Sequence, residues 1–298
     1  MTDMRQHLRG MFADVRQFLL TEGLQKQGIV QQNPHGDVTK EFDYLAEKRI
    51  IDYCAREMAE PIRILTEERG EVHTRPGAAA WTLIVDPVDG SENFARGNEQ
   101  SSVSLAVLRG EDVPRPEDVG YALVGRIFSG TMYEGEKGAG AWRNGQPIRP
   151  SGIITLSEAI VAIDFNFRGN GAVARMYRLL ASITDARRFG TAAGEFVAVA
   201  HGGVDAYVDA RDTLSPENYM AAHLIVAEAG GVISDRFGRP LAPIRSMTQG
   251  QSIVAAATPA LHEAILTVLE RDPAAKERGP FPSVAKNTLT PPDSFGSL

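Results

Sequence analysis

Asp86 and Asp89 stand three residues apart in Asp86-Pro87-Val88-Asp89-Gly90-Ser91, directly after the apolar run Trp81-Thr82-Leu83-Ile84-Val85. An apolar strand that ends in acids and turns through Gly-Ser brings hard oxygen donors beside free backbone N–H groups. That combination suits holding a Mg2+ ion and a phosphate together. Taken alone, Asp-Pro-x-Asp-Gly is also ordinary turn chemistry, in which Asp caps, Pro sets φ and Gly accepts positive φ. Two further segments shift the balance. Ile64-Leu65-Thr66-Glu67-Glu68 is a second apolar run ending in acids, and Pro216-Glu217-Asn218-Tyr219-Met220-Ala221-Ala222-His223 opens a helical stretch that closes on Glu228-Ala229-Gly230-Gly231.

In this order the three segments resemble the inositol monophosphatase family, within the wider superfamily of Mg2+-dependent, Li+-sensitive sugar phosphatases. Weaker markers extend the resemblance: Asp37-Val38-Thr39 with Asp43, Gly138-Ala139-Gly140-Ala141-Trp142-Arg143-Asn144-Gly145, and Gly190-Thr191-Ala192-Ala193. Together they span about residues 37 to 257. The resemblance implies an α+β fold, a layered α/β/α/β/α sandwich of the inositol monophosphatase and fructose-1,6-bisphosphatase type. It implies a phosphatase that hydrolyses a phosphate monoester of a small polyol, sugar or nucleoside by metal-activated water attack, with two or three Mg2+ ions and as a homodimer.

On the same ground, Glu67, Asp86 and the main-chain carbonyl of Val88 are expected to bind the first Mg2+, and Asp86, Asp89 and Asn218 the second. Ser91, where the family usually carries Thr, is expected to pass a proton of the attacking water toward Asp43, a general-base relay that with Glu67 makes the catalytic set. The N–H groups of Gly90 and Ser91 are expected to face the phosphate. Gly190, Thr191 and Ala192 would meet the substrate's hydroxyls, and Asp209 would hydrogen-bond its ring. Glu67 and Glu68 are adjacent and point opposite ways on an extended backbone, so only one can face the metals. The resemblance implies Glu67, which matches the first acid of the family's Gly-Glu-Glu-type segment with Thr66 in place of the Gly, and Glu68 is expected in solvent. Asn166, Arg168 and Arg188 rest on no motif and are read as surface residues.

Asn218 departs from the pattern. Its position carries a metal-binding Asp in the family, usually after Trp, whereas here the pair is Glu217-Asn218. An amide oxygen still coordinates Mg2+, but the site loses a formal negative charge. Glu217 or Asp212 could swing in, although neighbours on a helix diverge by about 100°. The alternative function is therefore a catalytically impaired member that binds a phosphoester or acts as a regulator.

The rest of the chain must place these residues. Its 298 residues allow a large core, in one elaborate domain or two intimate halves. A net charge of −7 with both signs interspersed speaks against a nucleic-acid polymer as partner. Cys54 is the sole cysteine, so no intrachain disulfide forms. The start of the chain lacks a basic segment leading into an apolar stretch, and no run reaches membrane length, so a soluble cytoplasmic protein is expected.

Apolar spacing predicts helices over residues 2–23 and 41–59, then strands of one sheet at 62–65, 82–85, 101–108, 119–128 and 130–134. After Pro150, strands at 159–165, 204–208, 231–234 and 252–257 alternate with helices at 172–183, 190–200, 216–229 and 259–269, an α/β texture. The expected organisation is an N-terminal α+β half, 1–150, carrying the main metal motif, and a C-terminal α/β half, 151–270, completing the site. A Pro-rich polar tail, 271–298, is expected to be disordered.

Overall fold

The computed structural model describes residues 3–32, 38–165 and 172–270. The expectations on Asp37, Asn166, Arg168 and the 271–298 tail lie outside the described residues.

Helix α1, Met4–Thr21, starts on Asp3, whose carboxylate accepts the N–H of Arg5. Leu8, Met11, Phe12, Val15, Phe18 and Leu19 recur at steps of three and four, so they share one buried face. A hairpin of β1, Ile29–Gln32, and β2, Val38–Lys40, leads into α2, Glu41–Glu57, which buries Phe42, Ala46, Ile50 and Cys54 in the same way. Both helices cover one face of a sheet built from β3 (Ile62–Thr66), β4 (Gly70–His73), β5 (Trp81–Asp89), β6 (Ser102–Arg109), β7 (Tyr121–Arg126), β8 (Met132–Glu136), β9 (Gly140–Arg143) and β10 (Gln146–Pro147). Its order is β10-β9-β8-β7-β6-β5-β3-β4. The short helix α3, Ser91–Ala95, follows β5.

The second sheet runs β12-β11-β13-β15-β14, from β11 (Ile160–Asp164), β12 (Asp185–Arg187), β13 (Ala206–Leu214), β14 (Val232–Ser234) and β15 (Gln251–Ala256). Helices α5, Ala192–Val197, and α6, Pro216–Ala229, lie between the sheets, while α4, Ala172–Leu180, and α7, Pro259–Glu270, cover the outer face. Three apolar cores separate the layers. One joins α1 and α2 to the first sheet, a second joins both sheets through Phe196, Tyr219, Ile225 and Ile253, and the third lies under α4 and α7. This is the expected layering of helix, sheet, helix, sheet, helix. Because α6 sits between two sheets it buries apolar residues nearly all round, and its Ala221 and Ala222 let the sheets approach.

The strand carrying the acids extends further than the apolar run suggests, through Pro87 to Asp89. Its ladder with β6 breaks register between Asp86 and Asp89, and that irregularity accommodates a proline lacking an N–H. The β1–β2 hairpin, β4, β9, β10 and β12 go beyond the patterned runs, because each is short and its partner strand, not its own apolar content, defines it.

Candidate active site

Strands β3 and β5 are parallel, with Thr66 opposite Val85, so Glu67 and Asp86 lie one step beyond the last rung at the same sheet end. Along β5, Ile84 packs toward the central helices and Val85 toward α1 and α2. Alternation then turns Asp86 toward the central layer. Asp86 is 3% exposed and accepts the N–H of Val88 at 3.0 Å. Burial first, then the charges of Glu67, Asp89, Glu217 and Asp43, hold its pKa well above the usual carboxylate range.

Asp89, equally buried, is answered differently. Its Oδ1 accepts the N–H of Ala192 at 2.8 Å, and its Oδ2 accepts the Thr191 hydroxyl at 2.5 Å and the N–H of Gly194 at 3.1 Å. The carboxylate thus caps the start of α5. Burial raises its pKa, opposed by these donors and by Arg126, whose Nη2 donates to the Gly194 carbonyl at 2.8 Å. Thr191 and Ala192, expected at the substrate's hydroxyls, direct their donors to Asp89.

Ser91 begins α3 with its Oγ 3.2 Å from Asp43 Oδ1 and 2.9 Å from the Val88 carbonyl oxygen. Asp43, in the first turn of α2, is 3% exposed, and burial, then the charge of Glu68, raise its pKa well above normal. Hydroxyl and carboxyl thus lie within hydrogen-bonding distance. Gly90, between Asp89 and Ser91, has φ 86°, and a Cβ there would lie 2.9 Å from the Gln100 carbonyl and 3.0 Å from that of Gly190. Glycine is required both for the angle and for this close approach of backbones.

The expectation for Glu68 needs correction: it is buried, 6% exposed, not in solvent. Thr39 of the hairpin donates its hydroxyl to the Glu68 carboxylate, Gln31 donates to its carbonyl at 3.0 Å, and its own N–H reaches Glu47 at 3.1 Å. Alternation along one strand reveals no hairpin folded over the opposite face. Glu47 is itself buried, paired with Arg69 at 2.9 Å, and burial lifts its pKa to about 7.

In the first turn of α6, Asn218 Nδ2 donates to Glu217 Oε1 at 3.1 Å and to Ser215 Oγ at 3.2 Å. Glu217 is 1% exposed, and burial raises its pKa to about 7. Asp212 lies exposed with Arg236 at 3.0 Å, away from this centre. Asp209 is fully buried, its oxygens taken by the Arg211 N–H at 2.9 Å, Nε at 3.0 Å and Nη2 at 2.6 Å. Arg211 also binds Asp164 at 2.8 Å, and Arg188 holds the Phe165 carbonyl at 2.9 Å.

Sequence reasoning passed over two positioning residues. Asn93 Nδ2 ties α3 to the carbonyls of Gln100 at 2.8 Å and Phe189 at 2.6 Å. Glu195 Oε1 accepts the N–H groups of Phe189 at 2.5 Å and Gly190 at 2.6 Å. Together they shape the Gly190 turn. Their signal was proximity to the motifs: Asn93 lies two residues after Ser91, and Glu195 three after Ala192.

Among the described residues, no three His, Cys, Asp or Glu side chains close around a common point as a metal cluster. The donor set nonetheless fits Mg2+ in its chemistry, since Asp86 is a buried hard-oxygen donor on which the charges of Glu67, Asp89, Glu217 and Asp43 act. A cleft of about 510 Å3 beside Trp81, Arg109 and Tyr121 lies at the opposite end of β5 and is separate from this centre.

A profile of the inositol monophosphatase family matches residues 7–274. The "Fructose-1,6-bisphosphatase/inositol-1-monophosphatase" of Thermococcus kodakarensis is 32% identical over 252 residues, 84% of this chain and 91% of that protein. "Nus factor SuhB" of Escherichia coli is 31% identical over 212 residues, 70% of this chain and 75% of that one. Among solved structures, extragenic suppressor protein suhB from Bartonella henselae superposes with TM-score 0.77 at 22% identity, covering 91% of this chain and 99% of its own, which speaks to the fold alone. The chain belongs to the inositol monophosphatase family. It is a phosphoric monoester hydrolase, a phosphatase of sugar phosphates. No helix among the described residues is long and apolar enough to cross a membrane.

Proposed function

We propose that this chain hydrolyses the phosphate monoester of a small polyol, sugar or nucleoside between β5, α3, α5 and α6, in a Mg2+-dependent reaction. The observation that carries the reading is Asp86, buried and with its pKa raised by burial and then by the charges of Glu67, Asp89, Glu217 and Asp43, a repulsion that a divalent cation relieves. Glu67, Asp86, Asp89 and the Val88 carbonyl would hold Mg2+, with Asn218 at the edge. Bound there, Mg2+ supplies positive charge against the phosphoryl oxygens and acidifies water.

The chain's own groups do the rest. In its ionised form Asp43 would accept the Ser91 hydroxyl proton across 3.2 Å as Ser91 takes one from the attacking water, the hydroxyl turning from the Val88 carbonyl, 2.9 Å away, to do so. Asp89 and Glu195 hold the Gly190–Ala192 turn that walls the substrate side. A homodimer in the cytoplasm is the setting we adopt, by analogy with the family.

Phosphate release over a panel of polyol, sugar and nucleoside monophosphates, with Mg2+ and with chelator, tests the reading. A second reading is favoured by Asn218, which leaves an amide where the family has an acid, and by kinship with a protein named as a Nus factor. Ligand binding without turnover of any panel member decides for that regulatory reading.

A further inference from the structure

We propose that Glu217 supplies, from the first turn of α6, the negative charge that Asn218 withholds, so that the acidic centre of this chain is complete with its donor moved one residue earlier. The inference rests on the phosphatase reading above and concerns how this chain in particular builds the site.

Three placements carry it. Asp86 pairs with Ser104 across the β5–β6 ladder, and Ser104 Oγ donates to the main-chain carbonyl of Glu217 at 3.0 Å. The first turn of α6 is thereby pinned over the rung that holds Asp86. Next, Glu217 is 1% exposed, a buried acid in that pinned first turn. An acid that served only the positive end of the helix gains most of that benefit at the surface and need not bear the cost of burial. Finally, Asn218 turns its amide N–H onto Glu217 Oε1 at 3.1 Å, so the residue that lost the charge orients the one that keeps it. Pro216 at the first helical position fixes the backbone there, and the extra methylene of Glu over Asp extends the reach from a position rotated by about 100°. Asp212, the other acid in range by sequence, is exposed and paired with Arg236.

Mn2+ serves as the probe, counted by the loss of the free-ion electron paramagnetic resonance signal on the full chain, beside a thermal melt of each variant. Wild type is expected to bind two ions per chain. Glu217→Gln, which keeps the shape and the acceptor for Asn218, is expected to weaken the second ion at least tenfold, and Glu217→Gln with Asn218→Asp to restore it. Asn218→Asp alone is expected to change Mn2+ affinity less than twofold, because the charge is already present. This variant decides the matter even if Glu217→Gln fails to fold. Tightening of the second ion by tenfold or more in Asn218→Asp, or unchanged binding in folded Glu217→Gln, overturns the role of Glu217 while leaving the phosphatase reading intact. No Mn2+ bound by wild type overturns both.

Discussion

Thr191 donates its hydroxyl to Asp89 at 2.5 Å across 102 residues of sequence, joining the acid-bearing strand of the first sheet to the start of α5, just after the Gly190 turn. The bond makes the wall of the site and the acid motif a single unit. Thr191→Val removes the donor and leaves a buried carboxylate short of one partner, so it is expected to destabilise the chain by about 1 to 3 kcal/mol. Thr191→Ser is expected to retain most of that. Urea unfolding of the two variants measures the difference, and equal loss in both would show that the hydroxyl is idle.

Asp86 is buried and raised in pKa by burial and then by the charges of neighbouring acids, so in the role proposed for it the charge that serves the reaction costs the fold. Asp86→Asn keeps the acceptor for the Val88 N–H and removes the repulsion. In metal-free protein at pH 8 it is expected to raise the melting temperature, by a gain that shrinks as the pH falls and the neighbouring acids take up protons. A metal-free variant that melts below wild type at pH 8 contradicts the charge balance described for this centre.

Glu195 provides a pH signature outside the ion-binding residues. Burial raises its pKa from an ordinary 4.5 to about 7. Below pH 4.5 both states are protonated. Between there and about 7 the unfolded chain releases the proton while the folded chain keeps it, so stability falls as pH rises through that window and then levels. At about 1.4 kcal/mol for each pH unit the loss reaches roughly 3 kcal/mol at most. Glu47, lifted to about 7 by burial, acts in the same direction. Glu195→Gln still offers an oxygen to Phe189 and Gly190, so its urea midpoint is expected to fall less between pH 5 and pH 8 than that of wild type, with some slope left from Glu47.

Gly90→Ala meets two backbone carbonyls at 3.0 Å or less and a φ of 86° that L side chains avoid. A loss of roughly 2 to 4 kcal/mol is expected from overlap and strain together. Circular dichroism melts check it.

Much of the site was legible because its chemistry is local. Asp86, Asp89, Gly90 and Ser91 occupy six consecutive residues, and Glu67 comes alongside through the parallel pairing of β3 with β5. The layering was implied by the family resemblance, since apolar spacing alone reads only as mixed α and β in two halves. What escaped was set by side-chain contacts that the apolar pattern does not encode. Glu68 is buried because Thr39 and Gln31 of a hairpin fold over it, Asp209 is claimed by Arg211 two residues on, and Asp89 turns to a helix that begins at Ala192. The Glu217 main chain is held by Ser104, a contact no periodicity reveals.

Ser91→Ala, measured beside wild type, isolates the relay. The account expects phosphate release to fall about 100-fold, as for loss of a general-base pathway. Ser91→Thr, which keeps the hydroxyl, is expected to stay within about threefold of wild type, since only χ1 freedom changes. Comparable release from the alanine variant would remove Ser91 and Asp43 from the reaction.

The most direct measurement is phosphate release from the monophosphate panel by wild type and Asp86→Asn, each with Mg2+ and with chelator. Release by wild type only when Mg2+ is present, falling at least 1,000-fold in the variant, is the predicted result, about 4 kcal/mol of transition-state stabilisation. Release that persists in chelator, or that proceeds at the wild-type rate without the Asp86 carboxylate, contradicts a cation held by these acids as the centre of the chemistry.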